Sequence, residues 1–215
     1  MNSLRTFYRL VVVCAANFCL VGCSLLSPPK GITPRAFVLT PISGPSPTGR
    51  PSSTNMVVGI HVVRMPGYLS GKSFAMRREN NEIIYLESAE WAERLDSSLQ
   101  RALAADLARL IPTDQVRLTR WGAEAVAVEV DVNVDRFDVD SRGKGSLVAW
   151  WRLLSPGGGK VLASGKFSAT RKGPPPDKDP LGASTLMSHL ASDLAETLAR
   201  AIKEPKNSSD GNPDV

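Results

Sequence analysis

The sequence predicts an α+β domain: a mostly antiparallel sheet with two amphipathic helices packed on one face. Three observations carry this. Residues 126–170 hold three runs of alternating apolar residues separated by turn signals, Leu95, Leu99, Leu103 and Leu107 recur at four-residue steps, and Leu186, Leu190, Leu194, Leu198 and Ile202 do the same. Alternation marks strands with one buried face, and four-residue steps mark a helix with one apolar stripe. Elements with one apolar side bury those sides against each other in two layers.

At the start of the chain, Arg5 and Arg9 precede a mostly apolar stretch over residues 10–22. It is too short to span a bilayer and reads as a signal peptide over 1–22. It ends Leu20-Val21-Gly22-Cys23, similar to the lipobox of bacterial lipoproteins. In that pathway the Cys thiol receives a diacylglycerol, cleavage falls just before it, and the new amine is acylated, with palmitate as the typical chain. Cys23 is thus the expected lipidation site, and several chains on one residue hold a protein stably where a single chain does not. Ser24, rather than Asp, follows the cysteine, which favours the periplasmic face of the outer membrane over the inner membrane. Cys14 and Cys19 lie in the discarded segment, leaving no pair for a disulfide. Losing Arg5 and Arg9 lowers the formal net charge from +5 to +3. An exported protein meets no genome, so the basic pI does not imply a nucleic-acid partner.

Residues 23–35 read as a tether and 36–203 as the folded domain. Residues 36–40 form a first strand, 41–54 a Pro/Gly/Ser loop, and 56–63 a buried strand in which Gly59 marks a bulge or a close approach of backbone. After a loop at Pro66 and Gly67, Ile83 to Leu86 suggests a short strand running into a helix. Ser88 is the expected N-cap, Glu90 lies in the first turn, and Glu90 and Arg94 stand at i,i+4 spacing. Trp91 and the four leucines continue to Leu110, and Pro112 ends the helix. Residues 115–119 suggest a short strand. Val126, Val128, Val130, Val132 and Val134 then alternate with Ala127, Glu129, Asp131, Asn133 and Asp135. At Arg136 the phase slips by one, which predicts a β-bulge. A turn at 141–145, inward-facing Leu147, Ala149, Trp151 and Leu153, a glycine turn at 157–159 and a strand over 161–170 complete a meander. A Lys/Pro-rich loop over 171–180 leads to the second helix. Residues 204–215 are polar and predict a disordered tail.

The catalytic inventory is poor. His61 and His189 have no motif partners, and HExxH, GxSxG, phosphate-loop and CxxC patterns are absent. Neither a metal nor another cofactor is expected: on a strand, Glu129, Asp131, Asp135, Asp138 and Asp140 share a solvated face rather than converge on an ion. Lys166, Arg171, Lys172 and Lys178 are suited to touching anionic lipid headgroups, with solubility the expected role. Trp150 and Trp151 must point to opposite faces. With Trp151 in the core, Trp150 lies on the other face beside Val148 and Leu154 and needs cover from a loop or another subunit.

Val58-Gly59-Ile60, Arg64-Met65-Pro66-Gly67-Tyr68-Leu69, Arg77, Trp91-Ala92-Glu93-Arg94-Leu95 and Arg136-Phe137 resemble the ABC-type transport auxiliary lipoproteins, the family typified by PqiC. The resemblance runs from Phe37 to Ile202 and rests on P-x-Y-L, an arginine eleven residues after its proline, and W-A-E-x-L. Ser70-Gly71-Lys72 replaces a common Asp-Arg-Pro, and Arg94 a common Pro. The resemblance implies a non-enzymatic accessory lipoprotein of an MCE/ABC-type envelope lipid transport system. Its implied partners are an MCE-domain (PqiB-like) protein, the membrane through the lipid anchor, phospholipid, and further copies of the chain. Its implied role is phospholipid transport between the membranes and membrane integrity. Pro66, Tyr68, Leu69 and Trp150 are the candidate partner-binding residues. The alternative is a monomeric periplasmic lipid-binding carrier, which needs a large interior pocket; a hydrolase is a third reading.

Overall fold

The protein is described by a computed structural model covering residues 33–41, 56–79, 81–111, 115–118 and 126–204. The strands are β1 (Arg35–Phe37), β2 (Val58–Ile60), β3 (Ser73–Glu79), β4 (Glu82–Trp91), β5 (Val116–Leu118), β6 (Val128–Asp140), β7 (Lys144–Leu154) and β8 (Val161–Lys172). The helices are α1 (Leu95–Leu110) and α2 (Pro180–Lys203), with short 3-10 turns at Gly67–Leu69 and Pro156–Gly158. The signal peptide, Cys23, most of the tether, most of the 41–54 loop, Pro112 and residues 205–215 lie outside the described residues.

β6, β7 and β8 form the expected meander, antiparallel throughout. The phase slip is real: Val134 pairs with Ala149 but Arg136 with Val148, so Asp135 is the extra residue of a bulge. The bulge keeps the apolar row on one side, where Val130, Val132, Val134, Phe137 and Val139 are all buried. The long ladders are antiparallel; β3 also pairs antiparallel with β4.

Four short parallel pairings join this hairpin and the flanking strands to the meander. β2 lies between β5 and β6, β3 pairs with the end of β6, and β1 pairs with β4. Residues 58–77 thus run along one edge of β6. Val58 sits opposite Val128, Arg64 bridges to Asn133, and Met76 sits opposite Val139. Gly59 is buried and in register with Glu129 and Arg117, with no bulge at that position.

One expected boundary moves. The segment assigned to the start of the first helix is strand: β4 continues to Trp91, and the helix opens at Leu95 with Arg94 at its N-cap. Ala89, Glu90 and Trp91 are instead paired with Arg35, Ala36 and Phe37 of β1. Glu90 and Arg94 therefore do not form a helical pair. Arg94 instead binds Asp96 in the first turn, Nη2 to Oδ2 at 2.6 Å. Trp91 is 1% exposed and stacks on Phe74 of β3, with centroids 4.7 Å apart.

Both leucine stripes are buried in one core with the apolar side of the sheet. Ser192 of α2 donates to Asp106 of α1 at 2.8 Å, joining the helices. Gln100 of α1 donates to the carbonyls of Ile60 and His61 at 3.0 and 3.1 Å, fastening α1 to β2. The backbone after β1 gives its N–H groups to helix hydroxyls, Leu39 to Ser98 and Thr40 to Ser188, each at 3.1 Å. At α2, Pro180 occupies the first turn and the Asp179 side chain accepts from Gly182 N at 2.9 Å, which satisfies a donor the helix itself cannot.

Candidate interaction surface

The sheet face away from the helices carries the acidic row of β6. Glu129, Asp131 and Asp138 are not solvated as the alternation suggests; they are 4%, 4% and 0% exposed. Buried carboxylates require partners, and each has them. Glu129 meets His61 Nε2 at 3.0 Å and accepts from the backbone N–H of Gly157 at 2.8 Å. The glycine turn thus caps a carboxylate within the protein.

Asp131 is clamped from both sides, by β7 and by the segment after β2. Arg152 of β7 donates to Oδ2 through Nε at 3.1 Å and Nη2 at 2.6 Å, and Arg64 Nη2 donates to the same oxygen at 3.0 Å. Burial alone would raise this carboxyl, but the hydrogen bonds from Arg152 and Arg64 outweigh it and hold the group below the ordinary aspartate range. Both arginines keep about half their side chains in solvent, 52% and 58%. Two exposed cations therefore stand over one buried anion.

Asp138 repeats the pattern at the other end of the strand. Arg77 donates to Oδ2 through Nε and Nη2, Arg136 Nε donates to Oδ1 at 2.9 Å, and the Tyr68 hydroxyl donates to Oδ2 at 3.2 Å. Arg77 Nη2 also donates to the Tyr68 oxygen at 3.2 Å, and its guanidinium carbon lies 5.7 Å from the ring centroid. Burial, then the charge of Asp138, raises the Tyr68 phenol above its usual value.

Between these clusters lies Trp150, 51% exposed. Its indole is fixed: Nε1 donates to Asp135 Oδ2 at 3.0 Å, and Lys166 Nζ lies 5.2 Å from the ring centroid. The bulge that inserts Asp135 thus supplies the acceptor that orients Trp150. Lys166 lies over the ring, but half of it stays in solvent, and of the two covers expected, a loop or another subunit, the described residues supply no loop. The other candidates sit elsewhere. Pro66 is half-buried, and Tyr68 is half-buried and committed to Asp138. Leu69 is 3% exposed and packs in the core. Its apolar side chain is consumed by folding and offers no contact surface, so the exposed aromatic of the set is Trp150.

Among the described residues no group of three or more His, Cys, Asp and Glu is arranged to hold a metal ion. No helix among them is long and apolar enough to cross a membrane. His189 is exposed on α2, whereas His61 meets Glu129.

The model of the ABC-type transport auxiliary lipoprotein component matches residues 37–199. The chain belongs to this family. The auxiliary lipoprotein also shares its fold with solved structures. One is a crystal structure of an uncharacterized protein, 18% identical, with a TM-score of 0.62, covering 79% of this chain and 99% of that one. Another is protein XCC0632 from Xanthomonas campestris, of family DUF330, 15% identical, with a TM-score of 0.59, covering 77% of this chain and 90% of that one. A search of curated proteins returned no significant match.

Three of the residues that carried the family resemblance in sequence converge in space. Tyr68, Arg77 and Arg136 all contact Asp138, while Leu69 and Phe137 are buried in the core beside them. In the auxiliary lipoprotein the tyrosine of P-x-Y-L and the arginine eleven residues after its proline therefore fasten their segment to β6 through its buried Asp138. Asp138, Asp131, Arg64 and Arg152 were not distinguishable as a set from sequence. Their only signal was an acidic row along a strand whose partners, Arg136 apart, lie 21 to 70 residues away.

Proposed function

We propose that this auxiliary lipoprotein is a docking component without catalytic activity, anchored through Cys23 to the periplasmic face of the outer membrane. There it self-associates and receives an MCE-domain partner, supporting phospholipid transport between the membranes and membrane integrity. The observation that supports this most directly is Trp150. A large aromatic, half in water and held in one orientation by Asp135 and Lys166, is a preformed contact, since its conformational entropy is already spent. The charge layout agrees. Beside it Asp131 is buried while its arginines, Arg64 and Arg152, stand half in solvent, so a partner meets two cations next to the aromatic. Cross-linking in native envelopes followed by identification of the copurified proteins tests the reading: an MCE-domain protein is expected, and its absence from a well cross-linked sample refutes docking.

A further inference from the structure

The outer edge of the meander has properties the docking role leaves unassigned. β8 runs for 12 residues and, among the described residues, pairs only with β7. An open strand edge presents a row of unused N–H and C=O groups. β8 contains no acidic residue but carries Lys166, Arg171 and Lys172, with Lys160 just before it. Arg171 is matched by Asp193 of α2, with donor–acceptor distances of 2.7 and 2.6 Å. At the far end, Lys172 pairs in register with Lys144 of β7, two like charges side by side on a sheet, which is unfavourable unless an anion joins them.

The second observation lies under the same strand. Trp151 pairs with Gly165, and the indole edge bearing Nε1 lies against the Cα of that glycine; a Cβ there would sit 3.2 Å from Nε1. Trp151 is 9% exposed, and its Nε1 is buried without a hydrogen-bond partner among the described residues. A buried donor left unpaired costs on the order of 1–3 kcal/mol. Gly165, having no side chain, is what lets that donor lie against the backbone of β8, one strand in from the open edge.

We infer that the free edge of β8 takes up an extended acidic segment of a partner protein as an added strand. Backbone pairing supplies the attachment. Side chains on one face of the added strand meet Lys166, Lys172 and the Trp150 ring, and an oxygen on the other face accepts from Trp151 Nε1. A second copy of β8 fits poorly, because it brings the same lysines against these. The inference rests on the docking reading and adds where an extended segment attaches and what charge it carries.

The test uses the purified protein and a synthetic peptide, Thr-Glu-Val-Glu-Thr-Glu-Val-Thr, whose central Thr lies on the face opposite the glutamates, beside the same peptide with Lys for Glu. The acidic peptide is expected to slow amide exchange at the outward-pointing N–H groups of β8 at least tenfold and to shift the Trp151 indole N–H resonance downfield. The Lys peptide does neither, and Lys166→Glu with Lys172→Glu weakens acidic-peptide binding at least tenfold. Unchanged exchange along β8, equal protection by the Lys peptide, or unaltered binding by the double variant each overturns the inference. The experiment needs no transporter protein. Peptide binding without MCE copurification rejects the docking partner but keeps the edge, and the reverse result rejects the edge alone.

Discussion

Arg77 donates twice to one oxygen of Asp138, through Nε at 3.1 Å and Nη2 at 2.8 Å, although 61 residues separate them. Asp138 is fully buried and Arg77 only 18% exposed, so the pair sits where the penalty for leaving one partner alone is large. Arg77→Ala is expected to lower unfolding free energy by about 3 kcal/mol, the cost of breaking a buried ion pair. Denaturant titration of both proteins measures it. Asp138→Leu with Arg77→Met is expected to recover part of that loss, because the buried carboxylate is gone and the other arginine on it, Arg136, is 34% exposed and reaches water.

Asp131 makes acid stability residue-specific. Its carboxyl is held below the ordinary value of about 3.9, so its contribution is fully present above that value and is lost as pH falls through the lower folded value. Asp131→Asn should be less stable than the parent near neutral pH, by about 1–3 kcal/mol. The gap should close as pH falls below about 4. Unfolding curves from pH 2 to 7 give the answer, and a gap independent of pH contradicts the clamp.

Tyr68 gives the opposite sign. Its phenol is raised above the usual value near 10, so the neutral hydroxyl that donates to Asp138 stabilises the fold at all lower pH. That contribution fades as pH rises through the raised folded value. The expected result is a tyrosine that ionises late in ultraviolet titration and is missing in Tyr68→Phe.

Gly143 tests the turn between β6 and β7. Its φ is +78°, and a Cβ there would run into the carbonyl oxygen of Gly173. Gly143→Ala is expected to cost about 2 kcal/mol or more, combining left-handed strain with the contact. A melting temperature equal to the parent's would contradict the turn.

Where local pattern decided structure, the sequence was readable. The valine alternation with its slip at Arg136 located the bulge, and both leucine stripes located the buried helix faces. Where distant pairing decided it, local signals misled. Ser73–Glu79 holds only three consecutive apolar residues, Phe74, Ala75 and Met76, and is a strand because β4 and β6 flank it. Ser88, Ala89 and Glu90 resemble a helix start, yet pairing with β1 draws them into β4. Trp150 was legible as an aromatic on the second face, since adjacent strand residues alternate. The buried carboxylates beside it were not, because an acidic row looks solvated until the arginines that cover it are known.

The central claim is that this auxiliary lipoprotein docks a transport partner rather than carrying lipid itself. Native mass spectrometry of the full protein released gently from the envelope separates the two most directly. The account predicts an assembly of several copies, with an MCE-domain protein associated and no phospholipid held in stoichiometric amount by each chain beyond its covalent acyl groups. A monomer carrying one phospholipid per chain would contradict it.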